Sequence, residues 1–167
     1  MPRDLAGTDP PMAPTVSDLM PALQSDLARL VAIPSISSPG YPEPRQPLLD
    51  AYELTVDLLR DAGVQNLGAL ELPDTAPVIT GEIPAPEGAP TVLLYSHYDV
   101  VPAGDEALWS SPPFVADERD GAIFGRGTAD SKSNVIAHVG ACARGRASRP
   151  SASRSSSRAR RRSAAAR

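Results

Sequence analysis

Residues 91–132, TVLLYSHYDVVPAGDEALWSSPPFVADERDGAIFGRGTADSK, constrain this chain more than any other stretch. An apolar run, Val92, Leu93, Leu94 and Tyr95, leads directly into His97 and Asp99. Alternate residues of a strand face the same way, so the imidazole and the carboxylate are expected to point into one site. A second carboxylate, Asp130, follows the glycine-broken turn Gly125-Arg126-Gly127 and stands just before a helical pattern. Neutral imidazole plus carboxylates is ligand chemistry for zinc or a similar divalent ion. A ligating imidazole usually donates its other N–H to a carboxylate, which gives His97 and Asp99 complementary parts to play. A bare H-x-D recurs by chance. Taken alone, the aspartates would suit turns or caps, and the histidine a satisfied place in the core.

The rest of the chain supplies a frame for that site. With 167 residues it is long enough for one domain with a real core. Residues 1–14 are proline-rich and expected to be flexible. Residues 15–33 read as an amphipathic helix with Leu19, Leu23, Leu27, Leu30 and Val31 on one stripe, Ser17 as the cap and Pro21 in or near the first turn. Five prolines make 33–47 a loop. Residues 46–62 read as a second helix with the stripe Leu49, Tyr52, Val56 and Leu59, ended by Gly63. Strands are expected at 67–72, 78–83 and 91–98. Asp120-Gly121 signals a hairpin between 115–119 and 122–124. A last helix from 131 to about 143 carries Val135, Ile136, Val139 and Ala141. Strands between helices predict an α/β domain, a mixed sheet flanked by helices. No run is long or apolar enough to span a membrane, and the opening residues lack the pattern of a signal peptide. One cysteine, Cys142, excludes an internal disulfide and makes a cytoplasmic home the simplest expectation.

Other candidates carry less. His138 is expected to be structural or at the surface, and Trp109 with Pro112-Pro113 to pack or stiffen a loop. Ser96 and Ser131 are read as backbone hydrogen bonders, since no histidine is arranged to activate either one.

Three segments in order, S-H-Y-D-V-V-P, then W-S-S-P-P-F, then D-G-A-I-F-G-R-G-T-A-D-S-K, closely resemble the M20 family of zinc peptidases. The likeness is greatest to its branch of dipeptidases and aminoacyl-peptide hydrolases, and it runs from about Asp18 to Ala141. It implies the amino-terminal part of a phosphorylase/hydrolase-like catalytic domain. It implies that His97 ligates one zinc, that Asp130 bridges two, and that Asp99 orients His97. Ser133 stands where other branches often have glycine, a variant that suits this branch. The intact enzyme would hydrolyse dipeptides or aminoacyl amide bonds with a zinc-activated water. It would take small peptide substrates and often form homodimers through a further domain.

Charge then divides the chain. All 20 acidic residues precede position 143, against only seven basic ones there, whereas nine arginines follow. Residues 143–167, ARGRASRPSASRSSSRARRRSAAAR, read at face value as a disordered basic segment able to bind nucleic acid or an anionic partner. The genetic code offers a different reading. If one base was lost near the Ala141 codon, each original codon is the last base of one present codon plus the first two of the next. Residues 141–144 then permit Leu-Arg-Ala, and 149–162 permit P-V-G-V-K-V-F-V-E-G-E-E-E, an apolar strand ending in glutamates. The resemblance implies an adjacent glutamate pair there, one the general base and the next a zinc ligand. The sequence reading therefore favours a frameshifted tail over a nucleic-acid-binding module. It expects a truncated, inactive chain whose two remaining ligands hold zinc weakly, since tight sites use at least three.

Overall fold

Helices come first because the chain supplies what a helix needs locally. The computed structural model describes residues 13–38, 45–72 and 76–147. α1 spans Val16–Val31 and begins at a reciprocal cap: Thr15 Oγ1 accepts from the Asp18 N–H, and the Asp18 carboxylate accepts from the Thr15 N–H at 2.8 Å. The cap is thus Thr15, two residues before the Ser17 the sequence suggested, because Asp18 at the third helical position closes the box with it. Pro21 lies inside the helix. α2 spans Arg45–Asp61 and α3 spans Lys132–Ala147. All three pack on one another.

Their shared core is Leu27, Leu30 and Val31 of α1, Leu58 of α2 with the adjoining Ala62, and Val135, Ile136 and Val139 of α3. On α2 the buried residues are Ala51, Thr55 and Leu58, one position round from the predicted stripe. Ala51 and Thr55 are small enough to bring the helix axis close, so Tyr52, Val56 and Leu59 flank the contact instead of filling it. α1 and α3 approach closely at Gly140, where a Cβ would come within 2.8 Å of Leu23 Cδ1.

Two antiparallel ribbons complete the described structure. β1 (Gln65–Leu70) pairs with β2 (Val78–Glu82), and β3 (Asp117–Arg119) with β4 (Ala122–Phe124). The second is the hairpin the sequence announced. Asp120 and Gly121 both take positive φ, at 52° and 76°, as a tight primed turn requires. The expected 91–98 strand is absent as a strand. Only its far end joins a ladder, through a parallel bridge between Ile36 and Val100 in which Val100 N–H donates to Ser35 O and Ser37 N–H to Val100 O, both at 2.9 Å. Strands are defined by neighbours, and among the described residues none lies beside 91–96. In place of one mixed sheet, the described residues therefore hold two separate two-stranded sheets and one parallel bridge. Tyr98 anchors the end of this segment: its hydroxyl donates to Pro77 O and its ring meets Tyr52 edge-on. Burial pushes the Tyr98 phenol up to about 12.

α3 runs through Ala147, so residues 143–147, expected to be a disordered tail, are helical. Arg146 secures that last turn by donating to Asp61 O at the end of α2. The flexible start at 1–14 falls mostly, and the remaining tail wholly, outside the described residues. No described helix is long and apolar enough to cross a membrane.

Candidate metal centre

His97, Asp99 and Asp130 meet at the mouth of a cavity of about 180 Å³, lined also by Val100, Val101 and the turn Gly125–Asp130. The His97 ring lies between the two aspartates. Its Nδ1 is 3.1 Å from the Asp99 backbone carbonyl and 3.2 Å from Asp99 Oδ1. Its Nε2 is 3.0 Å from Asp130 Oδ1. The three residues singled out from sequence are thus in direct contact, although the backbone that carries two of them is not a regular strand.

The turn that presents Asp130 is held from three directions. Gly127 has φ 89°, and a Cβ there would stand 2.9 Å from both Lys132 Cδ and Val100 Cγ1. Only glycine allows the turn to lie this close beneath the site. Ser131 Oγ accepts from the His97 backbone N–H at 3.2 Å, tying the first residue after Asp130 to the histidine. Arg126 N–H donates to Pro113 O, its guanidinium donates to Ala103 O at 3.3 Å, and it lies 5.0 Å over the Trp109 ring. Trp109 Nε1 donates to that same Ala103 carbonyl at 3.0 Å. The loop between Val101 and Phe114 is thereby clamped to the turn that presents Asp130. Ser131 behaves as the backbone bonder it was expected to be, and Trp109 as packing. Ser96 instead faces His138 Nδ1 at 3.3 Å.

Lys132 is the residue sequence reasoning passed over. It is fully buried and donates at 2.7 Å to Leu30 O and to Ile33 O, where α1 ends. A cation at a helix C-terminus meets unpaired carbonyls and the negative end of the dipole, which offsets part of its desolvation. That desolvation still lowers its pKa to about 8, against a smaller upward pull from Asp99. The signal was present: Lys132, Val135, Ile136 and Val139 share helical spacing, so the lysine sits on an apolar stripe.

Electrostatics favour a cation at the site. Burial works to lower the His97 pKa. The Asp99 carbonyl, the hydrogen bond to Asp130 and the two negative charges outweigh it and leave the imidazole above its ordinary value. A metal at Nε2 would displace that proton, so binding strengthens as pH rises through the His97 titration. The donor set suits zinc in kind, and the Nε2 to Oδ1 spacing of 3.0 Å is close to the roughly 3.3 Å edge expected for tetrahedral bonds of about 2.0–2.1 Å. It falls short in number. Among the described residues no group of three or more His, Cys, Asp or Glu side chains is placed to hold a metal.

The profile of Peptidase family M20/M25/M40 matches residues 93–155. Cysteinylglycine-S-conjugate dipeptidase of Corynebacterium striatum is 57% identical over 67 residues, 40% of this chain and 14% of that protein. Beta-Ala-His dipeptidase of Rattus norvegicus is 36% identical over 124 residues, 69% of this chain and 25% of that protein. The crystal structure of human carnosine dipeptidase 1 is similar with a TM-score of 0.71 at 31% identity, covering 79% of this chain and 30% of that one. These likenesses define the class, a segment of an α/β peptidase. More narrowly, the matched body of the chain belongs to the M20 peptidases, in their dipeptidase branch. The chain spans between 14% and 30% of the length of these relatives.

Proposed function

We propose that residues 15–142 are the amino-terminal part of a zinc-dependent M20 dipeptidase catalytic domain, and that the chain alone is inactive. One observation carries this reading: the His97 ring is held between Asp99 and Asp130, one nitrogen toward each. His97 Nε2 and an Asp130 oxygen would be zinc ligands. The other Asp130 oxygen, on a side chain 89% exposed, is available to a second metal. Asp99 would hold the His97 Nδ1 proton and so fix the tautomer that leaves Nε2 free. Bound metals would supply Lewis acidity toward the peptide carbonyl and toward an attacking water. This chain's residues would orient those metals. Among the described residues Asp99 is the one other carboxylate lining the site, and it is engaged by His97, so we assign the base that takes the water's proton elsewhere.

We place the frame change near the Ala141 codon, and assign the missing glutamates to the strand written in the other frame. The family match runs to residue 155 and α3 to Ala147, so the boundary at 143 is one of charge, and the proposed frame change falls inside the matched range. Small peptides as substrates, zinc as cofactor, a homodimeric intact enzyme and a cytoplasmic setting belong to the same proposal.

The test is a dipeptide hydrolysis assay with added zinc on two proteins, this chain and the product of the gene with its frame restored. Turnover is expected from the second only. Turnover by this chain above background would overturn its inactivity. Absence from both would overturn the dipeptidase reading.

A further inference from the structure

Both halves of the candidate metal centre are fastened to one place, the exit of α1. On the side that carries His97 and Asp99, the fastening is Ser35. It is fully buried, its hydroxyl donates to Tyr98 O at 2.7 Å, and its carbonyl accepts from the Val100 N–H at 2.9 Å. On the side that carries Asp130, the fastening is Lys132. Its ammonium donates to Leu30 O and Ile33 O, both at 2.7 Å, and its backbone N–H donates to Gly127 O at 2.9 Å. Asp130 therefore lies on a short turn that Lys132 closes, and α1 grips that turn through the lysine side chain.

The packing leaves this link little slack. A Cβ on Gly127 would stand 2.9 Å from both Lys132 Cδ and Val100 Cγ1, so the lysine stem, the turn and the segment carrying His97 meet at one point. Among the described hydrogen bonds the ammonium's partners are the two α1 carbonyls, so its effect on the site is indirect. Stability alone explains the contact poorly. Desolvation of a buried charge offsets much of what its bonds return, and an apolar side chain of similar volume often serves as well. What an apolar side chain cannot do is fix a distance. Charge-assisted hydrogen bonds are short and directional. Two of them set the turn at one place relative to Leu30 and Ile33, and so relative to Ser35, Tyr98 and Val100.

We propose that Lys132 is a positioning residue for the metal site: by pinning its turn to the exit of α1, it holds the Asp130 carboxylate within reach of His97 Nε2. The expected effect on metal affinity rests on the reading of His97 and Asp130 as ligands, whereas the placement itself is measurable without metal.

The experiment compares the full chain with Lys132→Met, which keeps an unbranched stem and removes the ammonium. A second variant, Val139→Ala, loosens the core face of the same helix about two turns away. The chain has two histidines, His97 and His138, so imidazole nitrogen NMR spectra of the metal-free protein at one fixed pH resolve both. In Lys132→Met the His97 nitrogens are expected to move toward the values of a free imidazole exchanging between tautomers, with His138 unmoved and the helical circular dichroism retained. Val139→Ala should leave both histidines unmoved. Zinc affinity, read by calorimetry with zinc alone, should fall about tenfold in Lys132→Met and hold in Val139→Ala. Unmoved His97 nitrogens in folded Lys132→Met, or equal shifts in Val139→Ala, would overturn the proposal. Where Lys132→Met does not fold, Gly127→Ala keeps the ammonium but presses on its stem, and unmoved His97 nitrogens there would overturn the proposal equally. Absence of zinc binding by the unsubstituted chain would instead overturn the metal reading, while the nitrogen spectra still decide the placement.

Discussion

Leu30 and Leu93 are the same residue in opposite circumstances. Leu30 is wholly enclosed by three helices, and Leu93 stands almost wholly in water. The difference lies in how each segment satisfies its backbone. A helix bonds to itself and needs neighbours only for one stripe, so α1, α2 and α3 assemble from what the chain supplies. An extended segment needs partners on its edges before its faces have anything to pack on. The same apolar content therefore yields a core in one region and a bare surface in the other. Bare apolar surface and open edges of this kind also invite aggregation.

Substitutions separate the two regions. Leu30→Ala opens a cavity in the cluster shared with Leu27, Leu58 and Val135 and should cost roughly 2–5 kcal/mol; an unchanged melting transition would contradict the core as described. Next in size is the buried ammonium. With its folded pKa near 8, below the ordinary 10.5, Lys132 binds its proton less well folded than unfolded. Its cost is present in full below about pH 8 and is relieved as pH rises toward 10.5. Stability should therefore rise across that window, by up to about 3 kcal/mol. Denaturant midpoints measured against pH, with Lys132→Met as the comparison, read this directly: the slope should flatten in the variant. Gly140→Val forces a side chain onto Leu23 and should cost about 1–3 kcal/mol. Thr15→Ala removes the α1 cap for about 1 kcal/mol. Smallest of all, Leu93→Asp should change stability by less than about 0.5 kcal/mol while reducing light scattering at high concentration. A large stability loss there would mean that 91–96 is packed after all.

These contrasts also show what sequence could and could not convey. Stripes at helical spacing gave α1 and α3 because a helix writes its own pattern. The hairpin at Asp120-Gly121 was legible because its turn demands positive φ at two adjacent positions. The cap moved from Ser17 to Thr15 because two residues bonding reciprocally outweigh one good cap type. The α2 stripe was read one position off because apolarity marks large residues, while close approach selected Ala51 and Thr55. The 91–98 strand failed for a different reason: its residues are right for a strand, yet pairing depends on other chain segments that local sequence does not contain. At the site, His97, Asp99 and Asp130 were recognisable by type and order, and they do converge. Lys132 was missed because a lysine is ordinarily assigned to solvent, and only its place on the apolar stripe marks it as buried.

The clamp around Ala103 has a practical side. The chain contains a single tryptophan, and it is the one whose indole N–H shares the Ala103 carbonyl with Arg126. Its ring lies under the guanidinium of the residue that opens the Asp130 turn. The chain thus carries one fluorophore, without background from any other indole, at the clamp between the long loop and the Asp130 turn. Loosening of that turn would reach a spectrometer as a change in the colour and quenching of Trp109 emission, with no label attached.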